Sequence, residues 1–466
     1  MNNHILWTAA VAASFSLVVP AAAKTLPTAT EMFNQMGFGI NIGNTMEVPG
    51  NPTGWGNKFP TEAYIDSVKA AGFSTIRIPC AWDSHAKDGV INQSWMDSVQ
   101  TVVDMCMRAG LVTILNIHWD GGWLEGNLSD DKKDEVNAKQ KSYWTQIATR
   151  FKNYNERLLF ASANEPATTD DNYKHETEIL MTYHQTFVDA VRATGGNNES
   201  RTLIIQGPST SVDRSCEVMP VDKLPKDKIE NRLMVEVHYY DPYTYTLMNE
   251  PADWGAIVQP QYYWGTGDRM DDLFGKMKTT FVDKGVPVII GEFGANDRVG
   301  VLTGDAYKKH RKGRLEYYDY LMNSAKKNKV VPIAWDTGHE GENNMTIIRR
   351  QSEPDGSVFD VEVLNLMRKA YGLGDYVNKG ITHVEDFVEG TTGIIEAETF
   401  RRGMAKWNAP NLRRDGLRLL ADGTIKLFDI NGNLLRSGSS EISLQGLRQG
   451  IYIAKSGNSL LKVNLR

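Results

Sequence analysis

Short apolar runs rich in β-branched residues recur along the first three quarters of the chain, separated by stretches with helical spacing. The runs fall at 38–43, 75–82, 111–119, 158–165, 202–208, 233–240, 286–293 and 331–336. Amphipathic stretches at 62–71, 94–109, 132–155, 174–194, 271–284 and 306–329 lie between most of them, and the link around 221–229 carries the weakest helical pattern. Near-continuous apolar strands alternating with helices predict a parallel sheet buried on both faces. Eight repeats over roughly 330 residues, closing with a helix near 358–371, predict an α/β fold, a (β/α)8 TIM barrel occupying 24–374.

After Gly374 the alternation stops. Residues 375–416 read as a linker or a small extra element. From 417 to 466 short strands are expected at 425–430, 434–436, 441–444, 451–454 and 460–465, set off by Asn431-Gly432-Asn433 and by Gly446, Gly450 and Gly457. That pattern predicts a small C-terminal all-β module. At the other end, the apolar run 5–20 precedes Ala21-Ala22-Ala23. The run is too short for a stable bilayer span and is followed by a small-residue cleavage pattern, so 1–23 reads as a signal peptide. The first four residues carry no Lys or Arg, an atypical feature for such a segment. A secreted or cell-surface location follows, and no later segment reaches 18 apolar residues, so no stable membrane insertion is expected.

Composition adds boundaries to this picture. The chain has 466 residues, 41% hydrophobic and 23% charged, which excludes disorder, collagen-like repeats and a disulfide-stapled miniature fold. A net charge of −6 offers no footprint for nucleic acid or an anionic membrane. Residues 401–466 hold 12 Lys+Arg against 4 Asp+Glu, a balance of +8 that leaves −14 for the remainder. That skew points to a separate C-terminal module or to a tail that merely happens to be basic. Cys80, Cys106 and Cys216 are odd in number and lack metal-type spacing, so at most one disulfide forms and buried free thiols are expected. Trp55, Trp123, Trp254 and Trp264 fall off the clean stripes, in Gly-, Asn- and Asp-rich stretches. Such tryptophans suit either stacking on sugar rings or local capping of the core.

In a (β/α)8 barrel the active site lies at the C-terminal strand ends. There the chain offers Arg77, His118, Asn164, Glu165, His238, Tyr240, Glu292 and Trp335. Carboxylates ending apolar strands need a reason, because an unpaired buried charge is expensive. Two glutamates among an Arg, two His, a Tyr and an Asn fit glycoside hydrolysis, in which one carboxyl protonates the leaving oxygen and another attacks or activates water. A cation at Arg77 favours an ionised Glu292, whereas a neighbouring carboxylate favours a protonated Glu165. Asn116-Ile117-His118-Trp119-Asp120 has alternating polar residues, but no His-x-His ends the first strand and Cys/His clusters are lacking. Neither a metal nor a cofactor is expected.

The strings Asn164-Glu165-Pro166, His238-Tyr239-Tyr240, Ile290-Gly291-Glu292-Phe293 and Ile333-Ala334-Trp335, in order at strand ends, resemble glycoside hydrolase family 5 from about Gly37 to Gly372. The resemblance implies a retaining mechanism with Glu165 as acid/base and Glu292 as nucleophile. It implies hydrogen bonds from Arg77 and Tyr240 to the nucleophile, Asn164 on the sugar 2-hydroxyl, His118 and His238 lining the catalytic subsite, and Trp335 stacking on the sugar. Many relatives carry His-His where this chain has His118-Trp119, so a reshaped subsite or simple packing is open for Trp119. The loops bearing Asn44, Trp55 and Trp123 suit a chain of several sugars. The family resemblance favours an endo-β-1,4-glucanase acting on cellulose or mixed-linkage glucan. A β-mannanase or xyloglucanase, and a non-catalytic polysaccharide-binding barrel, are the alternatives. The strings 425–432, 442–452 and 461–466 resemble the sorting domains of the type IX secretion system, which implies an export machinery as partner; a small carbohydrate-binding module is the competing reading. A monomer is expected.

Overall fold

The computed structural model describes residues 25–248, 253–255 and 266–389, and in the C-terminal part 412–415, 418–421, 424–428, 434–439, 441–447, 450–456 and 459–465. The signal-peptide segment, Trp264 and the turn at 431–433 lie outside the described residues.

Eight parallel strands close into a barrel: β1 (Gly39–Asn41), β2 (Thr75–Ile78), β3 (Val112–Asn116), β4 (Leu158–Ala161), β5 (Leu203–Gln206), β6 (Leu233–Tyr239), β7 (Val288–Phe293) and β8 (Val330–Ala334). Each strand falls inside a predicted run or within one residue of it. Because parallel strands bury both faces, β2, β3, β4 and β5 are buried at every position. Their outward residues join a large core with the surrounding helices, and their inward residues form a second, smaller core.

The shell contains α2 (Glu62–Ala70), α3 (Gln93–Arg108), α4 (Lys133–Phe151), α5 (Tyr173–Ala193), α6 (Val212–Val218), α7 (Gly267–Thr280), α8 (Gly304–Asn328) and α9 (Val361–Ala370). The weak pattern at 221–229 has a physical basis. The helix after β5 is only seven residues long and ends before Pro220, which cannot continue it.

A helix that the strand–helix count does not predict, α1 (Ala29–Met36), precedes the barrel. Thr28 and Glu31 form a reciprocal capping box, which compensates for its short length. Ala29, Met32 and Met36 pack on Val112, Ile114, Leu159, Ile204, Met234, Ile289 and Val331. Met36 also receives a hydrogen bond from Thr75 at the start of β2. The helix thus stoppers the N-terminal mouth and leaves the opposite mouth open for chemistry.

The stretch after Gly374, patternless in sequence, is partly tied to the barrel. The amide of Val384 donates to Arg108, that of Asn155 to Phe387, and that of Glu389 to Asn153. Phe387 is buried against Tyr154. These contacts join an irregular strand to helix ends, so neither period marks them. The C-terminal strands make a three-stranded sheet, β9 (Leu412–Asp415), β10 (Arg418–Ala421) and β13 (Glu441–Ser443). A four-stranded sheet follows in the order β12 (Leu434–Gly438), β11 (Ile425–Phe428), β14 (Gly450–Ser456), β15 (Ser459–Leu465). Leu419, Ile425, Leu427, Ile442, Leu444, Tyr452, Ala454 and Val463 form their core. The strands at Leu412–Asp415 and Arg418–Ala421 are not among the expected ones; in the first, Arg413, Arg414 and Asp415 hide the alternation. Among the described residues no helix is long and apolar enough to cross a membrane.

Phe387→Ala is expected to destabilise the barrel by about 3–5 kcal/mol, the range for removing a buried aromatic ring. Urea unfolding followed by tryptophan fluorescence checks this. A loss below about 1 kcal/mol would mean that the segment only lies on the surface.

Candidate active site

The open mouth is organised around Arg77, which β2 carries into the barrel with 0% exposure. Its Nη1 donates to Asn41 Oδ1 (3.0 Å) and Glu292 Oε1 (2.9 Å), and its Nη2 to Asn164 Oδ1 (2.8 Å). Its Nε stands 2.9 Å from Glu236 Oε1 in a fully buried ion pair. Asn41 is the register partner of Arg77 and ties itself to Gly291 and Ala334 through its amide. One guanidinium therefore connects β1, β4, β6 and β7.

Glu292 and His238 are register partners on adjacent strands, next to an irregularity at Val237/His238. The Tyr240 hydroxyl donates to Glu292 Oε2 (3.1 Å), while Arg77 serves Oε1, so each Glu292 oxygen has its own donor. Burial and the adjacent carboxylates hold the Tyr240 phenol well above its ordinary range, which keeps it a donor. Glu165 lies beyond the end of β4. Its Oε1 is 2.7 Å from His238 Nδ1, whose other nitrogen is 3.2 Å from Glu236. One oxygen of Glu165, one of Glu292 and a nitrogen of His238 lie within 4.8 Å of one another.

His118 caps β3. Asn116 Nδ2 donates to its Nδ1, and its ring stacks on Trp335 with centroids 5.9 Å apart. Burial, with Arg77 and His238 nearby, holds His118 well below its ordinary value, so this imidazole is neutral. Burial opposes charge on His238 too, but Glu292, Glu165 and Glu236 push it up to about 10, so it is a cation.

That cation reverses the proton placement expected from sequence. The surrounding protein raises Glu165, whose side chain is still 46% exposed, yet the His238 hydrogen bond and charge, with Arg77, outweigh that and lower the carboxyl. Burial raises Glu292, and here it outweighs His238 and Arg77. The missing ingredient is Glu236, a carboxylate in the middle of an apolar strand rather than at its end. It sits two residues before His238, so both face the same way. Gln206 holds its second oxygen at 2.6 Å and accepts from the Ala163 amide. A charged residue inside Leu-Met-Val-Glu-Val-His was the available signal. Gly291 makes the room: a Cβ there would lie 2.0 Å from Glu236 Oε1.

The rim residues divide. Trp55 and Trp119 are 56% and 52% exposed, so simple packing is excluded for Trp119. Trp123 meets Tyr143 edge-on, donates to Asp120 and lies under the Lys139 ammonium, which commits it largely to its own loop. Trp254 is not a cleft residue. It is buried edge-on against Tyr317 and Tyr320. Asn44 has φ 56° and is held through its backbone, its amide donating to Glu47 and its carbonyl accepting from Asn57. The three cysteines are free, two of them buried.

Glu236→Gln removes an anion facing both Arg77 and His238. Breaking a buried pair by deleting one partner costs about 3–5 kcal/mol. The His238 pKa must fall, since a cation loses a neighbouring anion. Denaturant unfolding reads the first effect and histidine NMR titration the second; an unmoved His238 titration would uncouple the two residues.

A family model described as cellulase (glycosyl hydrolase family 5) matches residues 39–341. A xyloglucan-specific endo-beta-1,4-glucanase from Bacteroides ovatus is 38% identical over 333 residues, 67% of this chain and 65% of that protein, so the chain spans just under two thirds of its length. Endoglucanase A from Paenibacillus barcinonensis is 36% identical over 368 residues, 72% of this chain and 90% of that one. Among solved structures, a xyloglucan-specific beta-1,4-glucanase of glycoside hydrolase family 5 from a ruminal metagenomic library superposes with a TM-score of 0.69 at 35% identity. That likeness covers 77% of this chain and 100% of the other.

Proposed function

The chain belongs to glycoside hydrolase family 5, and from that premise we propose that it is a retaining endo-β-1,4-glucanase with Glu292 as nucleophile and Glu165 as acid/base. The observation that carries this reading is the spacing of the two carboxylates, with oxygens within 4.8 Å. Retaining enzymes keep these groups about 5–5.5 Å apart, whereas inverting ones need roughly 6.5–9.5 Å to admit a water. In the first step Glu292 attacks the anomeric carbon while Glu165 gives its proton to the departing glycosidic oxygen, leaving a covalent glycosyl-enzyme. In the second, Glu165 takes a proton from water, which displaces Glu292 with net retention.

The charge count supports this division. Three carboxylates, Glu165, Glu236 and Glu292, face two cations, Arg77 and His238. Arg77 pairs with Glu236 and Glu292 but reaches only Asn164 on the β4 side. The reaction needs the proton on Glu165 when substrate displaces water and the excess charge becomes expensive; Glu165 touches His238 but not the guanidinium, whose charge reaches it only at a distance. Asn164 gives Oδ1 to Arg77, which leaves its Nδ2 free to donate to the sugar 2-hydroxyl. Trp335 offers the ring face for the sugar before the cleaved bond.

A branched β-1,4-glucan such as xyloglucan is a second reading with its own observation. A cavity of about 280 Å³ opens beside Glu165, lined by His238, Tyr240, Ser209, Asp213 and Arg269 but not by Glu292 or Trp335. A space that touches the acid and not the nucleophile lies on the leaving-group side, where a side-chain sugar would sit. Two of the three relatives above are named xyloglucan-specific, and the third is named endoglucanase A.

Glu292→Gln is expected to lower hydrolysis by about 10⁴-fold or more while polysaccharide binding persists. Reducing-sugar release from carboxymethylcellulose, lichenan, glucomannan and xyloglucan reads both the loss and the preferred substrate. Activity near wild type in this variant would sink the nucleophile assignment, and binding without turnover by the wild type would leave only a polysaccharide-binding barrel.

We also propose that the chain is exported through 1–23 and that 417–466 acts as a sorting module. The cleavage pattern, the C-terminal strings and the basic charge of 401–466 support this. The mass of the protein recovered outside the cell tests it: a sorting module is absent from the exported form, whereas a carbohydrate-binding module remains.

A further inference from the structure

Glu125, in the loop between β3 and α4, is a buried carboxyl that the two-step reaction leaves without a role. Its Oε1 accepts the backbone N–H of Glu165 at 2.5 Å, and its own carbonyl accepts the N–H of Ala167 at 3.0 Å. Pro166, between them, has no N–H to give. Both amide donors of the tripeptide that carries the acid therefore end on one residue. The Pro166 carbonyl is held from the other side by the Ser209 amide at 2.7 Å. The loop bearing Glu125 is itself anchored. Asp120 accepts from the amides of Trp82 and Asp83, Tyr183 donates to the Asn127 carbonyl, and Leu124 and Leu128 pack with Ala163 and Tyr183.

We propose that Glu125 is the positioning residue of the general acid, fixing the Glu165 backbone and thereby setting the reach of the Glu165 side chain toward the leaving-group oxygen. The inference rests on the reading of Glu165 as acid/base and adds to it the part that holds the acid in place. Glu165 lies four residues past the last residue of β4, so the strand alone does not define its position. A displacement of about 1 Å at such a group costs on the order of 10²-fold in rate.

The charged groups facing Glu125 are Glu165 from the β4 end, His238 from β6 and Glu292 from β7. Burial, with the like charges of Glu165 and Glu292, pushes its carboxyl up to about 8. Near neutrality it grips the acid as an uncharged acceptor and adds no anion to a site already rich in them. Glutamine supplies the same uncharged acceptor, and leucine has none.

The test compares two aryl β-cellobiosides in the full-length enzyme. 2,4-Dinitrophenol departs without a proton, and phenol needs one. Glu125→Leu is expected to lower kcat/KM for the phenyl substrate by about 10- to 100-fold and leave the dinitrophenyl substrate within about threefold. Glu125→Gln is expected to restore the phenyl rate. If Glu125→Leu does not fold, Glu125→Asp, which withdraws the acceptor by one methylene, should give the same selective pattern. Equal losses on both substrates, no loss on the phenyl substrate, or a Glu125→Gln as impaired as Glu125→Leu would each overturn the proposal. Glu165→Ala in the same assay separates the two readings: if it shows no leaving-group selectivity, the acid assignment itself fails, whatever Glu125 does.

Discussion

A guanidinium that never meets water governs this barrel. Arg77 has 0% exposure, and such a charge persists inside a protein only when it is paired with opposite charge. Its partners come from three other strands and from Asn164 just past the end of β4, and these must then keep a common register. Asn41 faces it directly across the β1–β2 pair, Glu236 and Glu292 neutralise it from β6 and β7, and Asn164 takes the remaining edge. The requirement spreads further. Seating Glu236 against Arg77 forbids a side chain at Gly291, and the β6–β7 register shifts where His238 must meet Glu292. Motifs that look like separate signatures in the sequence are partners in one electrostatic arrangement.

With two cations and three carboxylates, the site is a coupled system in which no proton belongs to one residue in isolation. His238 is the pivot, since it touches Glu165 with one nitrogen and Glu236 with the other. In the open cleft its charge keeps Glu165 ionised. Covering the cleft changes the balance, because low dielectric penalises the surplus anion more than it rewards the ion pair. The proposed reaction then requires a proton on Glu165, the carboxyl that the guanidinium does not touch. Proton placement is in this sense a property of occupancy, which a list of strand-end residues does not contain.

The barrel was legible because parallel strands buried on both faces write themselves as uninterrupted apolar runs, and the two glutamates because a charge ending such a run has no structural excuse. What escaped detection shares a physical cause. Glu236 interrupts a run instead of ending it, so its carboxylate looked like noise in the strand pattern. α1 is too short for a convincing period and holds through one capping box, three buried apolar side chains and hydrogen bonds at its two ends. The 381–389 segment docks by backbone hydrogen bonds and one buried ring, Phe387, which together make no periodic pattern. Trp254 sat in a loop-like context yet is core, because tertiary contacts with Tyr317 and Tyr320 decide its burial.

The two carboxylates proposed for catalysis differ in what holds them, and that difference orders the fold's tolerance to change. Glu292 lies within β7, buttressed by Arg77, Tyr240 and its register partner His238, so its position is a consequence of barrel closure. Glu165 lies beyond β4, gripped by segments from the neighbouring loops after β3 and β5. The spacing between them thus depends on a rigid half and a loop-built half. Loops are where insertions and new substrate contacts accumulate. The exposed Trp119 and the cavity beside Glu165 both belong to the loop-built half. Substrate preference can therefore change around Glu165 while Glu292 stays fixed, provided the loop that reshapes the cleft still delivers a buried acceptor to the Glu165 amide.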